Sequence, residues 1–328
     1  MNIEAIMNFL KEIFKGRNVK VQIQLDGALY FWESGAVPDN PVIMSSPDDI
    51  GVSQNFLDWM LGQINTQALK DSTRSNHLDS LRILKNYDPG LTFGNLTRKT
   101  VRGYYDYLGS QGYSKNTIVK HMKIFHRYTG LALSDGILAS DPFQGYRNHY
   151  ETTQKNYLTT IEISRIHQGL QEIRDPFEAE TIRGFLFSCY TGLRYSDIKE
   201  VRGSWFHQID NVIWMVFRAI KTGSEVHVPV SELFSGAGMT LLDPSRDKQF
   251  PVPSNDVANR CLRRVLGRLG ITRDFTFHCG RVSCAHNLLS LGVPITSVQH
   301  ILGHASVTTT EGYIKFSDDV LLNSIKTK

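Results

Sequence analysis

The sequence predicts a mostly α chain with a small β component: a small α+β amino-terminal segment over residues 1–50, a helical domain over 51–150 and a mixed α/β domain over 156–328. Three observations carry that prediction. The chain has 328 residues, too many for one ordinary core and suited to two domains with a small addition. Between residues 53 and 133, apolar side chains recur at helical spacing in four segments punctuated by Gly and Pro. After residue 156, apolar helical runs alternate with two runs of strand formers around a Lys-Thr-Gly-Ser turn.

The amino-terminal segment reads as a short helix followed by a hairpin. Residues 19–25 alternate apolar with polar side chains, Asp26-Gly27 is a hairpin turn signal, and residues 28–32 supply the return strand. The opening stretch lacks a basic start and carries Glu4 and Glu12, so it is no secretory signal. No apolar run is long enough to cross a bilayer, and the expected location is cytoplasmic. In that compartment Cys189, Cys261, Cys279 and Cys284 are expected as reduced thiols.

The helical domain follows. Segments 53–69, 72–87, 97–109 and 114–133 each carry an apolar stripe, for example Leu78, Leu81, Ile83 and Leu84 in the second. Asp88-Pro89-Gly90 ends one helix, Gly109 to Gly112 separates the next pair, and Asp141-Pro142-Phe143 begins the exit to a linker. Four or five short helices make a bundle. The net charge of +4 is too small to announce a nucleic-acid binder, but its distribution is uneven. Lys and Arg fall short of Asp and Glu by 3 over residues 1–52, exceed them by 5 over 53–155, and exceed them by 2 over 156–328. A basic strip attracts a phosphate backbone by counterion release, although scattered lysines also describe an ordinary solvated helix face.

In the third region, residues 182–189 form an apolar helix that stops at Thr191-Gly192. Ser196 can cap the next helix, which leaves Arg194 in the joint between the two. Residues 211–220 and 225–230 make a hairpin with Lys221 at its turn. A helix begins at His278 and runs through Leu288, Leu289 and Leu291 to Gly292; Pro294 starts another that ends near Gly303, with His304 just beyond. Ser306 or Thr308 then begins a short helix whose end presents Tyr313. Beyond it, Ser317 can cap a tail helix whose apolar face, Val320, Leu321, Leu322 and Ile325, is too small to fold alone and must dock on something.

The residue types in this order suit phosphodiester chemistry. Arg194 and Arg281 offer planar paired donors, Lys221 an ammonium, His278 and His304 imidazoles, and Tyr313 an oxygen nucleophile. His278 and Arg281, three apart on one helix, can meet the same phosphate. Any one of these residues alone has a bland explanation: a turn lysine is usually solvated, and a helix-joint arginine usually satisfies carbonyls.

The contexts decide between these readings. T-G-L-R-Y-S-D-I around Arg194, K-T-G at Lys221, H-C-G-R at His278 and Arg281, L-G-H at His304, and Thr308-Thr309-Thr310 before Tyr313 closely resemble the motifs of the tyrosine recombinase, or phage integrase, family. Departures are Cys279 and Gly280 between His278 and Arg281, and Val282 after it; they concern helix packing and leave the charged groups intact. The stretch from S-T-R-S-N-H to D-P-F is similar by pattern to that family's SAM-like core-binding domain.

The resemblance implies a site-specific recombinase of integrase type that cuts and rejoins duplex DNA through a 3′-phosphotyrosine intermediate, with no metal, ATP or other cofactor. Tyr313 is then the nucleophile, Arg194 and Arg281 stabilise the nonbridging oxygens, and His278 takes the tyrosine proton. His304 adds a phosphate hydrogen bond, Lys221 protonates the departing 5′ oxygen, and Asp197 orients its neighbours. Arg74, Lys115, Asn116 and Lys120 become candidates for DNA backbone contacts. Arg260, Arg263, Arg264 and Arg268 line one helix before the third motif, where backbone contact and a solvated face are equal readings; Arg260 and Arg264 stand as the DNA-binding candidates. The implied partners are double-stranded DNA, further copies of the chain as a tetramer on paired sites, and accessory DNA-bending proteins. In related recombinases the terminal helix packs into a neighbouring protomer, and docking on its own domain is the alternative here. The acidic amino-terminal segment fits packing or protein interaction better than DNA contact.

Integration or excision of a mobile element or phage is the expected task, with inversion or dimer resolution by the same chemistry as alternatives. A type IB topoisomerase shares the chemistry, but a separate helical domain and a short chain favour a recombinase. Two other readings are weaker. The helices joined through Gly292-Val293-Pro294 suggest a non-catalytic helix-turn-helix reader, which leaves Arg194, Lys221 and Tyr313 unexplained. His300 and His304 with Cys279, Cys284 and His286 suggest zinc, but the spacing fits none of the common zinc motifs.

Overall fold

The computed structural model describes residues 20–25, 28–33, 54–151 and 155–312, in two compact units, Met1–Thr152 and Thr153–Lys328. The helix expected ahead of residue 19, Tyr313 and the tail helix lie outside the described residues.

The first unit contains an antiparallel pair, β1 (Lys20–Leu25) and β2 (Ala28–Glu33), in register from Lys20 opposite Glu33 to Leu25 opposite Ala28. Four helices follow: α1 (Phe56–Thr66), α2 (Asp71–Tyr87), α3 (Arg98–Ser110) and α4 (Lys115–Ser134). Three start on a polar cap: the side chains of Asn55, Thr97 and Ser114 accept from the amides of Asp58, Thr100 and Thr117, satisfying donors that the helix itself leaves open. The core is aromatic. Phe56, Phe93, Tyr104 and Phe125 are buried and meet edge to face, Phe56 with Phe93 at 5.4 Å and Tyr104 with Phe125 at 5.6 Å. Two histidines are buried between α2 and α4: His77 Nδ1 is 2.8 Å from the Tyr128 hydroxyl and His121 Nδ1 is 2.7 Å from the Ser80 hydroxyl.

The second unit is built around a helix buried on nearly every side. α5 (Thr160–Gln168) leads to this central helix, α6 (Pro176–Thr191), which begins with Pro176 in its first turn behind the Asp175 cap. α7 (Tyr195–Ile198) follows after three residues. A three-stranded antiparallel sheet of order β3-β4-β5 comes next: β3 (Phe206–Ile209), β4 (Val212–Arg218) and β5 (Glu225–Pro229). Met215, Phe217, Val226 and Val228 point from it into the core that holds Phe185, Phe187 and Phe250. The described residues of this unit end with α8 (Asn255–Arg268), α9 (Phe277–Ser290), α10 (Ile295–Leu302) and α11 (Val307–Glu311).

Two local expectations need correction. Ser196 does not cap α7: the helix starts one residue earlier, Arg194 holds the extended cap position without a side-chain cap bond, and Ser196 lies inside the turn. The first hairpin strand ends at Arg218 and not at residue 220, because the Ile220 amide leaves the ladder to donate to a side chain of α7.

Candidate active site

Arg194 is placed by the end of α6. Gly192 takes a left-handed conformation (φ 72°) and its amide donates to the Ser188 carbonyl at 2.9 Å, which stops the helix. The Ser188 hydroxyl then donates to the Leu193 carbonyl at 2.7 Å, and Leu193 is buried, so the half-buried Arg194 leaves a fixed backbone. Asp197, three residues on, is only 1% exposed, and its Oδ1 accepts from the Ile220 amide at 2.9 Å. That bond ties α7 to the base of the β4–β5 turn. Ala219 donates to the Ser224 carbonyl at 2.8 Å and Gly223 to the Ala219 carbonyl at 2.7 Å, which holds Lys221 at an exposed tip one residue beyond the tether.

α9 carries the next two groups. Arg281 is buried at 2% exposure and reaches three elements. Its Nη1 donates to the Gly192 carbonyl at 2.7 Å, and its Nη2 donates to the Leu302 carbonyl at 2.6 Å and lies 2.6 Å from Nε2 of His304. The guanidinium therefore closes the carboxyl ends of α6 and α10 over the site. His304 follows the left-handed Gly303 cap of α10; its amide donates to the Gln299 carbonyl at 3.1 Å, and its Nδ1 is 2.9 Å from Oγ1 of Thr310 on α11.

The charges on these elements share one field. His278, at the exposed mouth of the site, is lowered from 6.5 to about 4, first by desolvation and then by Lys155, Arg281, Arg194 and Lys221. His304 is lowered to about 4 by burial, then by Arg281, Arg194, His278 and Lys155. Both rings are neutral at pH 7, and a neutral imidazole can take a proton. Arg194, Lys221, His278, Arg281 and His304 are thus brought together, with Asp197 behind Lys221. α11 ends at Glu311, two residues before the undescribed Tyr313.

Lys155 is a group that sequence reasoning missed, having counted it only in the charge of the preceding region. The strap behind it is fastened along α9: Asn156 Nδ2 donates to the Asp274 carbonyl at 2.7 Å, the Leu158 amide donates to the Ser283 hydroxyl at 2.9 Å, and Tyr157 stacks on His286 at 3.6 Å. No motif marks it; the nearest signal is the basic residue just ahead of the capped Thr159 start of α5.

All of the proposed DNA-binding side chains except Lys120 are engaged within their own units. Arg74 donates to the Ile64 carbonyl at 2.6 Å and the Gln67 carbonyl at 3.0 Å, closing the end of α1. Lys115 pairs with Glu151 at 2.6 Å, and Asn116 bonds the Glu151 backbone on both sides, at 2.9 and 3.1 Å, while Lys120 is exposed. On α8, Arg264 pairs with Glu178 at 2.8 Å, Arg268 joins the same buried carboxylate, Arg260 pairs with Asp256, and Arg263 lies 3.6 Å from Asp274. All four cysteines are free and buried; burial pushes the Cys284 thiol up to about 12. Among the described residues no group of three or more His, Cys, Asp or Glu is placed to hold a metal ion, and no helix is long and apolar enough to cross a membrane.

The sequence pattern of the phage integrase family matches residues 156–319, half of the chain. This chain belongs to the phage integrase family. The family's SAM-like domain matches residues 55–161, and the chain is a tyrosine site-specific recombinase. Among its relatives, tyrosine recombinase XerC of Listeria innocua serovar 6a is 22% identical over 286 residues, covering 80% of this chain and 92% of that protein. Tyrosine recombinase XerD of Oceanobacillus iheyensis is 23% identical over 271 residues, covering 75% and 88%. In fold this integrase-family chain is similar to a lambda integrase dimer bound to a COC′ core site, with a TM-score of 0.63 at 16% identity over 80% of this chain and 98% of that one. It is likewise similar to the Tn1549 transposon integrase in complex with circular intermediate DNA, with a TM-score of 0.64 at 16% identity over 84% of this chain and 99% of that one.

Proposed function

We propose that this recombinase cuts and rejoins duplex DNA by attack of Tyr313 on one phosphorus, leaving a 3′-phosphotyrosine and a free 5′-hydroxyl that then attacks the equivalent linkage on a partner strand. The phosphodiester bond energy is kept in the covalent intermediate, so the steps balance without ATP. Arg194 and Arg281 meet the charge on the nonbridging oxygens, His278 accepts the tyrosine proton, His304 contributes a phosphate hydrogen bond, and Lys221 protonates the departing 5′ oxygen. Asp197 positions Lys221 through the Ile220 amide. Lys155 adds positive charge at the entrance.

The observation that carries this reading is the gathering of two guanidiniums, an ammonium and two imidazoles held neutral at four separate places of one unit, the α6–α7 joint, the β4–β5 turn, α9 and the end of α10, with Tyr313 two residues beyond α11 in sequence. The partners of the reaction are double-stranded DNA and further copies of the chain. A tetramer on paired sites is supported by the fold likeness to a lambda integrase tetramer bound to a Holliday junction, with a TM-score of 0.64. Within the family we assign integration and excision of a mobile element; the segment ahead of the helical domain supports that task over a minimal two-domain recombinase. For Arg74, Lys115, Asn116, Arg260 and Arg264 the proposal requires that their present pairings open or turn toward the DNA backbone, whereas Lys120 is already exposed.

The test is strand cleavage of a site-bearing duplex in excess EDTA. Cleavage should persist, and Arg194→Ala should lower its rate by about 10²- to 10³-fold with a far smaller change in DNA affinity. Strict dependence on added divalent metal, or an Arg194→Ala protein that cleaves normally, overturns the assignment.

A further inference from the structure

Thr310 is fully buried on α11, three residues before Tyr313, whereas its neighbours Thr308 and Thr309 are exposed. Its Oγ1 lies 2.9 Å from Nδ1 of His304, and Nε2 of the same ring lies 2.6 Å from Nη2 of Arg281. A guanidinium has only donors, so Nε2 must accept. A neutral imidazole then carries its single proton on Nδ1 and donates it to the threonine oxygen. Burial and the surrounding positive charge keep the ring in that neutral form at pH 7. All three side chains are shielded, at 0%, 8% and 2% exposure for Thr310, His304 and Arg281. A buried polar chain of this kind has one low-energy proton arrangement when every member is satisfied.

We propose that Thr310 is a positioning residue of the recombination site: its hydroxyl oxygen fixes His304 as the Nδ1-protonated tautomer and thereby aims Arg281, coupling the seating of α11 to the phosphate-binding guanidinium. This rests on the reading of Arg281 and Tyr313 given above. Without the acceptor on Thr310 the ring proton is free to move to Nε2, where two donors would face each other at the present separation and the pair would have to part. The device also survives arrival of the substrate. When a phosphate oxygen takes over Nε2, its negative charge raises the proton affinity of the ring, which takes a second proton there from solvent, and Thr310 goes on accepting from Nδ1.

The proposal is tested on full-length protein labelled with ¹⁵N-histidine, using long-range proton–nitrogen correlation to read the His304 tautomer, assigned with His304→Gln. Wild type should show Nδ1 protonated. Thr310→Val, which keeps the buried shape without the oxygen, should move the ring toward the Nε2-protonated form; Thr310→Ser should restore it, and Thr309→Val should leave it alone. In single-turnover cleavage of a nicked duplex, Thr310→Val should be slower by about 10- to 100-fold at unchanged DNA affinity, the scale of one lost buried hydrogen bond, with Ser close to wild type. An Nε2-protonated His304 in wild type overturns the proposal without recourse to any variant. So does a Thr310→Val protein with unchanged tautomer or unchanged cleavage. If wild type links no DNA, the recombinase reading fails, while the tautomer measurement still decides the relay.

Discussion

Replacing Asp197 separates the support of Lys221 from the chemistry of Lys221. Asp197 Oδ1 accepts from the Ile220 amide at 2.9 Å and is almost fully buried, so Asp197→Ala removes a charge-assisted bond worth about 1.5–3 kcal/mol. For a unit of this size each kcal/mol moves Tm by about 2–4 °C, and the variant should melt roughly 3–12 °C lower. Asp197→Asn keeps an acceptor oxygen and should lose about half as much. The loosened turn no longer holds Lys221 in place, and a general acid contributes about 10²- to 10⁴-fold, so cleavage by Asp197→Ala should fall by one to two orders of magnitude at 25 °C, well below its melting. The assay is single-turnover cleavage of two duplexes, one ordinary and one with sulfur in the 5′-bridging position of the scissile linkage. A thiolate leaves without a proton, so sulfur should rescue Lys221→Ala and Asp197→Ala together and leave Arg194→Ala impaired. Rescue of Lys221→Ala without rescue of Asp197→Ala, or an Asp197→Ala protein with wild-type stability and rate, refutes the tether.

Two further outcomes follow from the same contacts. At Gly192, with φ +72°, an added Cβ would sit 2.4 Å from Leu302 Cδ2, so Gly192→Ala should cost about 2–4 kcal/mol in urea unfolding, and a change below about 0.5 kcal/mol contradicts the packing described. For pH, His278 and His304 titrate near 4 when folded and at 6.5 when unfolded, so between those values the unfolded chain binds more protons. Stability should therefore be level above pH 6.5 and decline as pH falls toward 4; His77, His121 and His167, also lowered chiefly by burial, act in the same sense. A urea midpoint that holds or rises from pH 7 to 5 contradicts this. Cleavage by the folded protein should hold until the pH nears 4, where His278 gains a proton and ceases to be a base.

Arg194, Lys221 and His304 were legible because each sits where a local rule stops an element: Gly192 ends α6 before Arg194, Gly223 closes the turn beyond Lys221, and Gly303 ends α10 before His304; His278 and Arg281 lie inside α9 and were marked by their three-residue spacing. The four helices of the first unit were legible from apolar spacing alone. β3 was not, since Phe206–Ile209 is four residues long with His207 and Gln208 inside it and an exposed face. The 3₁₀ segment Leu233–Leu241 was equally hidden, because Phe234 and Ser235 take left-handed conformations that tertiary packing against α6 imposes and composition does not announce. The partners of Asp197, Thr310 and Lys155 are also tertiary facts. Sequence gives Asp197 an orienting role by resemblance, but only the fold brings the Ile220 amide to it, and only the strap along α9 brings Lys155 near His278. Arg74 illustrates the reverse case: a basic residue in a basic region, it closes the end of α1 in the folded chain.

The most direct test of the account is the chemical identity of the protein–DNA link. A duplex nicked beside the cleavage position lets the 5′-hydroxyl fragment diffuse away, which traps the intermediate for digestion and mass spectrometry of the DNA-bearing peptide. The account predicts a 3′-phosphate on Tyr313, and a Tyr313→Phe protein that binds the same duplex and forms no link. A link on another residue, a link through a 5′-phosphate, or a link that survives in the Phe variant contradicts it.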